Sequence, residues 1–159
     1  MNLHVLERTQ VLRGDVETVF QFFREPENLA RITPPRLGFR ILTPAPIVMK
    51  EGALLDYTIR WLGLPVRWTT FISHYEPPHL FVDVQIRGPY AFWHHLHRFR
   101  AVAGGTEMTD VVRYILPYGP LGGLAHGLLI RRQLCRIFDY RSDVIGRIFG
   151  MAGTKGLNT

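Results

Sequence analysis

Two histidines and two aspartates are the residues of this chain best suited to chemistry. His95 and His97 stand two apart in a run with strand-like alternation, which places both side chains on one face of the strand. Asp83 and Asp110 belong to the neighbouring runs along the chain. An imidazole beside a buried carboxylate can act as a general acid or base, so all four are candidate catalytic residues. The same residues can instead form a structural hydrogen-bonded network or bind a ligand directly.

Metal, cofactor and covalent chemistry find less support in the sequence. His95 and His97 could ligate a metal together with Asp83 or Asp110, but no third histidine or cysteine stands at a suitable position, so no metal is predicted. Cys135, the only cysteine, lies in a predicted helix without a matched base, and no serine stands in a nucleophile-elbow sequence. We therefore expect no covalent catalysis and no cofactor.

The elements that must position these residues follow from periodicity and turn signals. A first strand over Leu3–Leu12 precedes a helix over residues 15–23, and a second short helix beginning at Pro26 must end before Pro34. Strands separated by Pro and Gly turns follow, and an apolar stripe between Leu121 and Phe149 predicts a final helix of about 28 residues. The predicted strands after the second helix are Leu37–Leu42, Leu54–Trp61, Val66–Tyr75, Leu80–Ile86, Tyr90–Val102 and Thr106–Leu116.

The turns also predict which residues face each other across the strands. A loop at Gly104-Gly105 would place Phe99 opposite Asp110, His97 opposite Val112 and His95 opposite Tyr114. The turn at Gly88-Pro89 places Asp83 near His95 and Gln85 near Trp93, and the turn at Pro77-Pro78 places Thr70 near Gln85 and Ile72 near Asp83. A turn over Leu62–Pro65 would put Tyr57 beside Thr70 and Ile59 beside Trp68.

These pairings gather aromatic and polar side chains on one face of the sheet, while arginines such as Arg60, Arg67 and Arg98 occupy the other. Buried polar groups without partners cost several kcal/mol, so the polar members must bond one another, bind water or meet a ligand. The predicted ligand-binding residues are Tyr57, Trp61, Trp68, Thr70, Phe81, Asp83, Gln85, Trp93, His95, His97, Asp110 and Tyr114.

Composition excludes several classes of protein. The chain has 159 residues, 47% of them hydrophobic, and one cysteine, which excludes a disordered chain and a disulfide scaffold. No apolar run is long enough to span a membrane, and the start lacks a secretory signal, so a cytoplasmic protein is expected. The sequence leaves open whether it is a monomer or a homodimer.

The net charge of +6 comes mainly from arginine, which supplies 17 of the 19 basic residues. The arginines are spread along the chain without a nucleic-acid-binding motif, so we predict no nucleic-acid partner. Arg131, Arg132 and Arg136 form the densest group, and transient contact with an anionic membrane surface through them is a further hypothesis.

Several motifs resemble a bacterial branch of the SRPBCC superfamily, which includes START domains, Bet v 1-like proteins and polyketide cyclases. They include Ile32-Thr33-Pro34-Pro35, Gly63-Leu64-Pro65-Val66-Arg67-Trp68, Tyr75-Glu76-Pro77-Pro78 and the alternation of Trp93, His95, His97 and Phe99. The resemblance runs from about residue 3 to residue 149. It implies an α+β helix-grip fold, in which a curved seven-stranded antiparallel sheet surrounds a long C-terminal helix, with two short helices near the N-terminus. The absence of an internal repeat and of a linker predicts a single domain over residues 1–149, and the small, polar residues of 150–159 predict a flexible C-terminal tail.

Three functional hypotheses result. Members of this superfamily generally hold hydrophobic molecules in an internal cavity, so the first is a carrier or sensor of a small hydrophobic ligand such as a lipid, a quinone or a polyketide-like molecule. The second is an enzyme resembling a polyketide cyclase or aromatase, with His95 or His97 acting beside Asp83 or Asp110. The third is a chaperone that delivers a lipid or quinone at a membrane surface.

Overall fold

An antiparallel sheet of eight strands curves around one long helix in the computed structural model, which describes residues 2–117 and 123–153. The strands are β1 (His4–Leu12), β2 (Arg40–Ile41), β3 (Leu54–Trp61), β4 (Leu64–Glu76), β5 (Leu80–Arg87), β6 (Phe92–Val102), β7 (Gly105–Ile115) and β8 (Met151–Gly153). The helices are α1 (Val16–Arg24), α2 (Glu27–Arg31) and α3 (Gly123–Phe149), and a 3₁₀ turn covers Pro35–Leu37. The sheet order is β2-β3-β4-β5-β6-β7-β1-β8, which confirms the predicted helix-grip fold.

Helix α1 shows how local sequence determines an element. The Asp15 side chain accepts a hydrogen bond of 2.8 Å from the backbone N–H of Thr18, which caps the helix, and Glu17 lies in its positive first turn. Val19, Phe20 and Phe23 then point from one face of α1 into the core. The predicted boundaries of this helix and the structural ones agree within one residue.

The hairpin between β6 and β7 differs from the sequence prediction by two residues. Val102 pairs with Gly105, so the loop is Ala103-Gly104. The observed pairs are therefore His97 with Asp110, His95 with Val112, Trp93 with Tyr114 and Phe99 with Met108, and the predicted register was wrong. Gly105 is the first residue of β7 and lies against β1. A glycine is needed there because a Cβ atom would lie 1.9 Å from the carbonyl oxygen of Leu12.

The hairpin between β3 and β4 differs in the same way. Trp61 pairs with Leu64, which pairs Tyr57 with Trp68 and Leu55 with Thr70 instead of the predicted partners. Pro65, interpreted from the sequence as a turn residue, lies within β4 at a point where β5 does not yet pair with that strand. Both corrections shift the register by two residues. Since side chains alternate with a period of two, the predicted inner face is preserved.

The other tested pairings are confirmed. Asp83 pairs with His95, Thr70 with Gln85 and Ile72 with Asp83. An irregularity of β4 between Ile72 and His74 then places Tyr75 opposite Phe81.

The edges of the sheet also differ from expectation. The strand predicted over Leu37–Leu42 is reduced to β2, because Pro35–Leu37 form the 3₁₀ turn. Residues 151–153, predicted as the start of a tail, form β8 and pair with β1. The remaining predicted tail, 154–159, lies outside the described residues, as does Leu121 at the predicted start of the last helix.

Helix α3 packs across the concave face of the sheet. Its buried residues Ile130, Leu134 and Phe138 join one core cluster with Trp68, Trp93 and Val112. Ile145 joins a second cluster with residues of α1 and the strands, including Phe20 and Phe99. Within the described ranges, no helix is both long and apolar enough to cross a membrane.

Candidate functional site

A cavity of about 190 Å³ lies between the concave face of the sheet, α3 and the segment that contains α1 and α2. Aromatic and aliphatic side chains form most of its wall, and all three tryptophans of the chain contribute to it. The strands supply Leu55, Tyr57, Ile59, Trp61, Trp68, Thr70, Ile72, Phe81, Asp83, Trp93, His95 and His97, whereas Phe22, Phe23, Leu29, Ile32, Leu37, Leu134, Ile137, Phe138 and Arg141 lie outside them.

Nine of the twelve predicted ligand-binding residues line this cavity, and three do not. Gln85 uses its amide to bind the backbone of Tyr90, with Nε2 donating to the carbonyl oxygen at 2.8 Å. Tyr114 stacks on His4 with ring centroids 5.2 Å apart. Asp110 is buried against both histidines and reaches the cavity only through them.

Tyr57, Trp68 and Trp93 belong to the aromatic part of the wall, and Thr70 lies beside Tyr57. The Tyr57 and Thr70 hydroxyls are hydrogen-bonded at 3.2 Å, and burial raises the pKa of Tyr57, which keeps its hydroxyl protonated. Trp68 stacks on Tyr57 and packs edge-to-face on Trp93. The buried Nε1–H of Trp68 has no hydrogen-bond partner among the described residues. The buried Nε1–H of Trp61, which also lines the cavity, likewise has no partner among the described residues, so the wall holds two unused donors.

Five residues form a polar cluster at another part of the wall: Asp83, His95, His97, Asp110 and Arg141, called here the His–Asp–Arg cluster. His95 Nε2 donates to Asp110 Oδ1 at 2.9 Å, and His97 Nε2 donates to Asp83 Oδ2 at 2.8 Å. His97 Nδ1 lies 2.9 Å from Asp110 Oδ1, and the two imidazole rings are 3.7 Å apart. Arg141 Nε donates to Asp110 Oδ2 at 3.2 Å, so a residue of α3 closes the cluster from the opposite side.

The aspartates of this cluster are ionised. Burial alone would raise the pKa of Asp110, but the charge of Arg141 and the hydrogen bonds from His95 and His97 outweigh it and hold the pKa well below its ordinary value. Burial likewise opposes ionisation of Asp83, and the nearby His95 and His97 again reverse the sign, so its pKa is lowered.

The pKa values of the two histidines are shifted in opposite directions. Burial and the neighbouring His97 lower the pKa of His95 despite both carboxylates. For His97, burial also opposes protonation, but its bonds to Asp110 and Asp83 outweigh burial and raise the pKa. The opposite pKa shifts favour a protonated His97 and a neutral His95, and in that state two positive groups balance two carboxylates. A buried cluster without net charge avoids most of the penalty that an unpaired ion would carry.

This bonding restricts what the histidines can do. The His95 ring nitrogens lie 2.9 and 3.4 Å from carboxylate oxygens, and those of His97 lie 2.8 and 2.9 Å from them. Three of these nitrogens lie within 3 Å of a carboxylate oxygen, and only His95 Nδ1, which faces Asp83 Oδ2, makes no hydrogen bond among the described residues. Asp83 lines the cavity and, with 16% of its side chain exposed, is the most exposed carboxylate of the cluster. The geometry suits hydrogen bonding to a ligand better than acid–base catalysis.

A metal is not favoured at this position. Asp83, His95 and His97 can bring one ligand atom each within 4.8 Å of one another, the arrangement in the described ranges that most resembles a metal site. However, Arg141 Nη2 lies 3.3 Å from His97 Nδ1, which places a permanent positive charge beside that set. The charge that a cation would supply is already provided by Arg141.

Arg141 is the functional residue that sequence reasoning missed. It is buried, packs against the ring of Phe23, and lines the cavity. A signal was present in the spacing. Leu134, Phe138, Arg141 and Ile145 recur at intervals of three and four, so an arginine occupies the buried stripe of the helix. A buried arginine needs a carboxylate partner, and Asp110 was available.

Known structures share this fold at low sequence identity. The di-domain aromatase/cyclase StfQ from the steffimycin biosynthetic pathway aligns with a TM-score of 0.68 at 16% identity, over 91% of this chain and 48% of that chain. The Zhui aromatase/cyclase from Streptomyces sp. R1128 aligns with a TM-score of 0.65 at 13% identity, over 96% and 100% of the two chains. Ara h 8.0201 aligns with a TM-score of 0.59 at 12% identity, over 91% and 99%.

These similarities establish the fold. The chain has a Bet v 1-like helix-grip fold, as the resemblance of its motifs implied. No protein-family model and no curated protein matches the sequence. Identities this low do not transfer an activity, so the function must be argued from the cavity itself.

Proposed function

We propose that this protein binds a small, mainly apolar ligand of one or two rings in the cavity between the sheet and α3, and acts as a carrier or sensor of it. The observation that carries the proposal is the aromatic wall around about 190 Å³ of space. An apolar cavity of roughly 150 Å³ in another protein stays dry and takes up benzene. The volume here therefore suits a ring with a short substituent, or the ring portion of a quinone or polyketide-like molecule.

The polar groups of the wall indicate where the ligand carries its own polar atoms. The unpartnered Nε1–H of Trp68 would donate to a carbonyl, ether or phenol oxygen. The Asp83 carboxylate, on the cavity wall, would accept from a hydroxyl or N–H group of the ligand. A purely aliphatic chain would leave both unused. The predicted ligand is thus a ring compound bearing an oxygen acceptor, and a donor when it also reaches Asp83.

Binding is favoured over catalysis by the state of the histidines. A general base needs a free nitrogen within hydrogen-bonding distance of the substrate proton. The one ring nitrogen without a hydrogen bond, His95 Nδ1, faces the Asp83 carboxylate at 3.4 Å, and the other three lie within 3 Å of carboxylate oxygens. The His–Asp–Arg cluster instead provides a polar surface whose members are hydrogen-bonded to one another. This role is compatible with release of an unchanged ligand, as a carrier or sensor requires.

A matched pair of ligands tests the proposed polar contact. Acetophenone has a carbonyl group, and ethylbenzene has nearly the same shape without an acceptor. We expect the protein to bind acetophenone more tightly, by roughly 5- to 10-fold, because one hydrogen bond contributes about 1 kcal/mol. In Trp68→Phe, which keeps a ring but removes the donor, the preference should disappear while the affinity for ethylbenzene remains.

Titration calorimetry measures both affinities, and the fluorescence of Trp61 and Trp93, which also line the cavity, provides a second readout in the variant. Ethylbenzene binding serves as the internal control for an intact cavity. Failure of both compounds to bind would contradict the proposed function. A preference for acetophenone that survives in Trp68→Phe would contradict only the assigned role of Trp68 and would point to the unpartnered Nε1–H of Trp61 as the donor.

A further inference from the structure

The tip of the β3–β4 hairpin carries a leucine in a conformation that leucine disfavours. Leu62 has φ 49° and is followed by Gly63 with φ 85°, the two positive values that a two-residue type I′ turn requires. Asparagine and glycine are the usual residues there, and a leucine pays a conformational cost. Leu62 is 46% exposed and Leu64 is 68% exposed, so burial in the folded protein does not offset that cost. Stability alone does not explain these residues.

Beside this tip lies a groove of about 410 Å³ bordered by four arginines, called here the arginine groove. Arg36 belongs to the 3₁₀ turn and Arg60 to β3. Arg132 and Arg136 lie on consecutive turns of α3. The apolar members of its lining include Leu62 and Leu129, the latter 58% exposed.

The arginine groove has an uncompensated positive charge. All four arginines are exposed, and none has a carboxylate oxygen within 4 Å among residues 2–117 and 128–152, whose side chains the structure describes. Four like charges around one groove repel one another in the absence of an anion. The groove is therefore complementary to a surface that offers several negative groups at once.

The groove also adjoins the ligand cavity, because Leu37 and Gln133 line both. A surface that covers the groove would therefore lie next to the cavity wall. An apolar ligand leaving such a surface would travel only a short distance to reach the cavity.

We infer that the arginine groove and the Leu62–Leu64 turn dock this protein on an anionic membrane surface. Arginines bind the phosphate and carboxylate groups of anionic lipids, while exposed leucines enter the boundary between headgroups and acyl chains. A soluble acidic partner would pair with the arginines but would leave the strained, exposed Leu62 unexplained. The inference goes beyond the proposed function, since it concerns a different surface and needs no cavity ligand.

The site differs from the sequence hypothesis of membrane contact through Arg131, Arg132 and Arg136. Arg132 and Arg136 border the groove, whereas Arg131 is exposed but does not line it. The structure adds Arg36, Arg60 and the leucines, which are distant in sequence and could not be grouped from it.

The charge contribution is tested by sedimentation with vesicles of equimolar phosphatidylserine and phosphatidylcholine, compared with phosphatidylcholine alone. We expect binding only to the anionic vesicles, and loss of that binding in high salt. Arg132→Gln/Arg136→Gln should bind roughly 25-fold more weakly, since each arginine near such a surface contributes a factor of about 5. The matched control is Arg87→Gln/Arg98→Gln, which removes the same charge from exposed positions on β5 and β6 and should bind like the wild type.

The apolar contribution is tested by Leu62→Asn. This substitution places an Asn-Gly pair in the turn, so the melting temperature should rise by about 2–4 °C. Vesicle binding should nevertheless weaken by roughly 5-fold or more, because the inserting side chain is gone. Opposite changes in stability and binding exclude unfolding as the cause of the weaker binding.

Equal binding to both kinds of vesicle, no binding to either, or unchanged binding by Leu62→Asn would overturn the inference. So would an equal loss in the Arg87→Gln/Arg98→Gln control. Ile59→Trp, which fills the ligand cavity, should bind vesicles like the wild type, and this separates the docking surface from the proposed ligand site.

Discussion

At the scale of single residues, the central feature is a neutral cluster of ionisable groups in the wall of an apolar cavity. The sequence predicted four of its five members, because Asp83, His95, His97 and Asp110 lie on the same face of the sheet. A register error of two residues does not change which face a side chain occupies. It did not predict Arg141, since helix periodicity marks a buried position without showing which strand residue lies opposite. Arg141 determines the charge of the cluster, and its removal should have the largest effect.

Arg141→Met should lower the free energy of unfolding by about 3 kcal/mol at neutral pH, because it leaves the buried Asp110 carboxylate without its cation. The pH dependence should also change. In the wild type the folded pKa of Asp110 lies below the ordinary 3.8, so its stabilisation is complete above that pH and is lost only as the pH falls through the lower folded value. Without the charge of Arg141, the folded pKa of Asp110 should be higher than in the wild type, so acid unfolding should begin at a higher pH. Urea titrations across the acid range measure both effects.

The control for this variant is Arg8→Met, which removes the partly exposed ion pair between Arg8 and Asp139. Exposed ion pairs of this kind contribute less than about 1 kcal/mol to the free energy of unfolding. Acid unfolding of Arg8→Met should therefore begin at the same pH as in the wild type. If Arg141→Met behaves like Arg8→Met, the cluster is not held by Arg141 as described here.

At the scale of elements, the sequence identified the strands and helices but misplaced the hairpin turns. Gly104-Gly105 has the composition of a two-residue loop, and Pro65 has that of a turn residue. Both assignments failed because of neighbours that sequence does not reveal. Gly105 is required for the close approach of β1, and Pro65 is tolerated where β4 lacks a second neighbour. The composition of a turn therefore predicts which face of the sheet a side chain occupies more reliably than it predicts which residues pair across the strands.

Gly105→Ala should destabilise the protein by about 3 kcal/mol or more, because its Cβ would lie 1.9 Å from the Leu12 carbonyl oxygen and the backbone there has φ 154°. Gly52→Ala is the comparison: φ is also positive, at 85°, but the space around it is open, so a cost of about 1 kcal/mol is expected. Thermal and urea denaturation measure the difference. Equal costs at the two positions would mean that the contact between β1 and β7 can relax around the added methyl group.

At the scale of the whole molecule, charge and apolar surface are divided between distinct regions. The outer face of the sheet carries arginines, the arginine groove gathers four arginines, Arg60 of β3 among them, at one side of the cavity, and the aromatic residues surround the cavity itself. The net charge of +6 and the high hydrophobic content were visible in the sequence, but their separation was not. It depends on residues from α3, β3 and the 3₁₀ turn that meet only in the folded chain.

The most direct test of the ligand cavity is to fill it and measure what is lost. Ile59 lines the cavity from β3, and Thr58 is its neighbour on the opposite face of the same strand. A titration of the wild type, Ile59→Trp and Thr58→Trp with ethylbenzene, followed by calorimetry, compares the two faces, with circular dichroism confirming that each variant is folded. We expect the wild type and Thr58→Trp to bind ethylbenzene with similar affinity and Ile59→Trp not to bind it. Equal binding by the folded Ile59→Trp variant would show that the ligand lies elsewhere and would contradict the proposed cavity site.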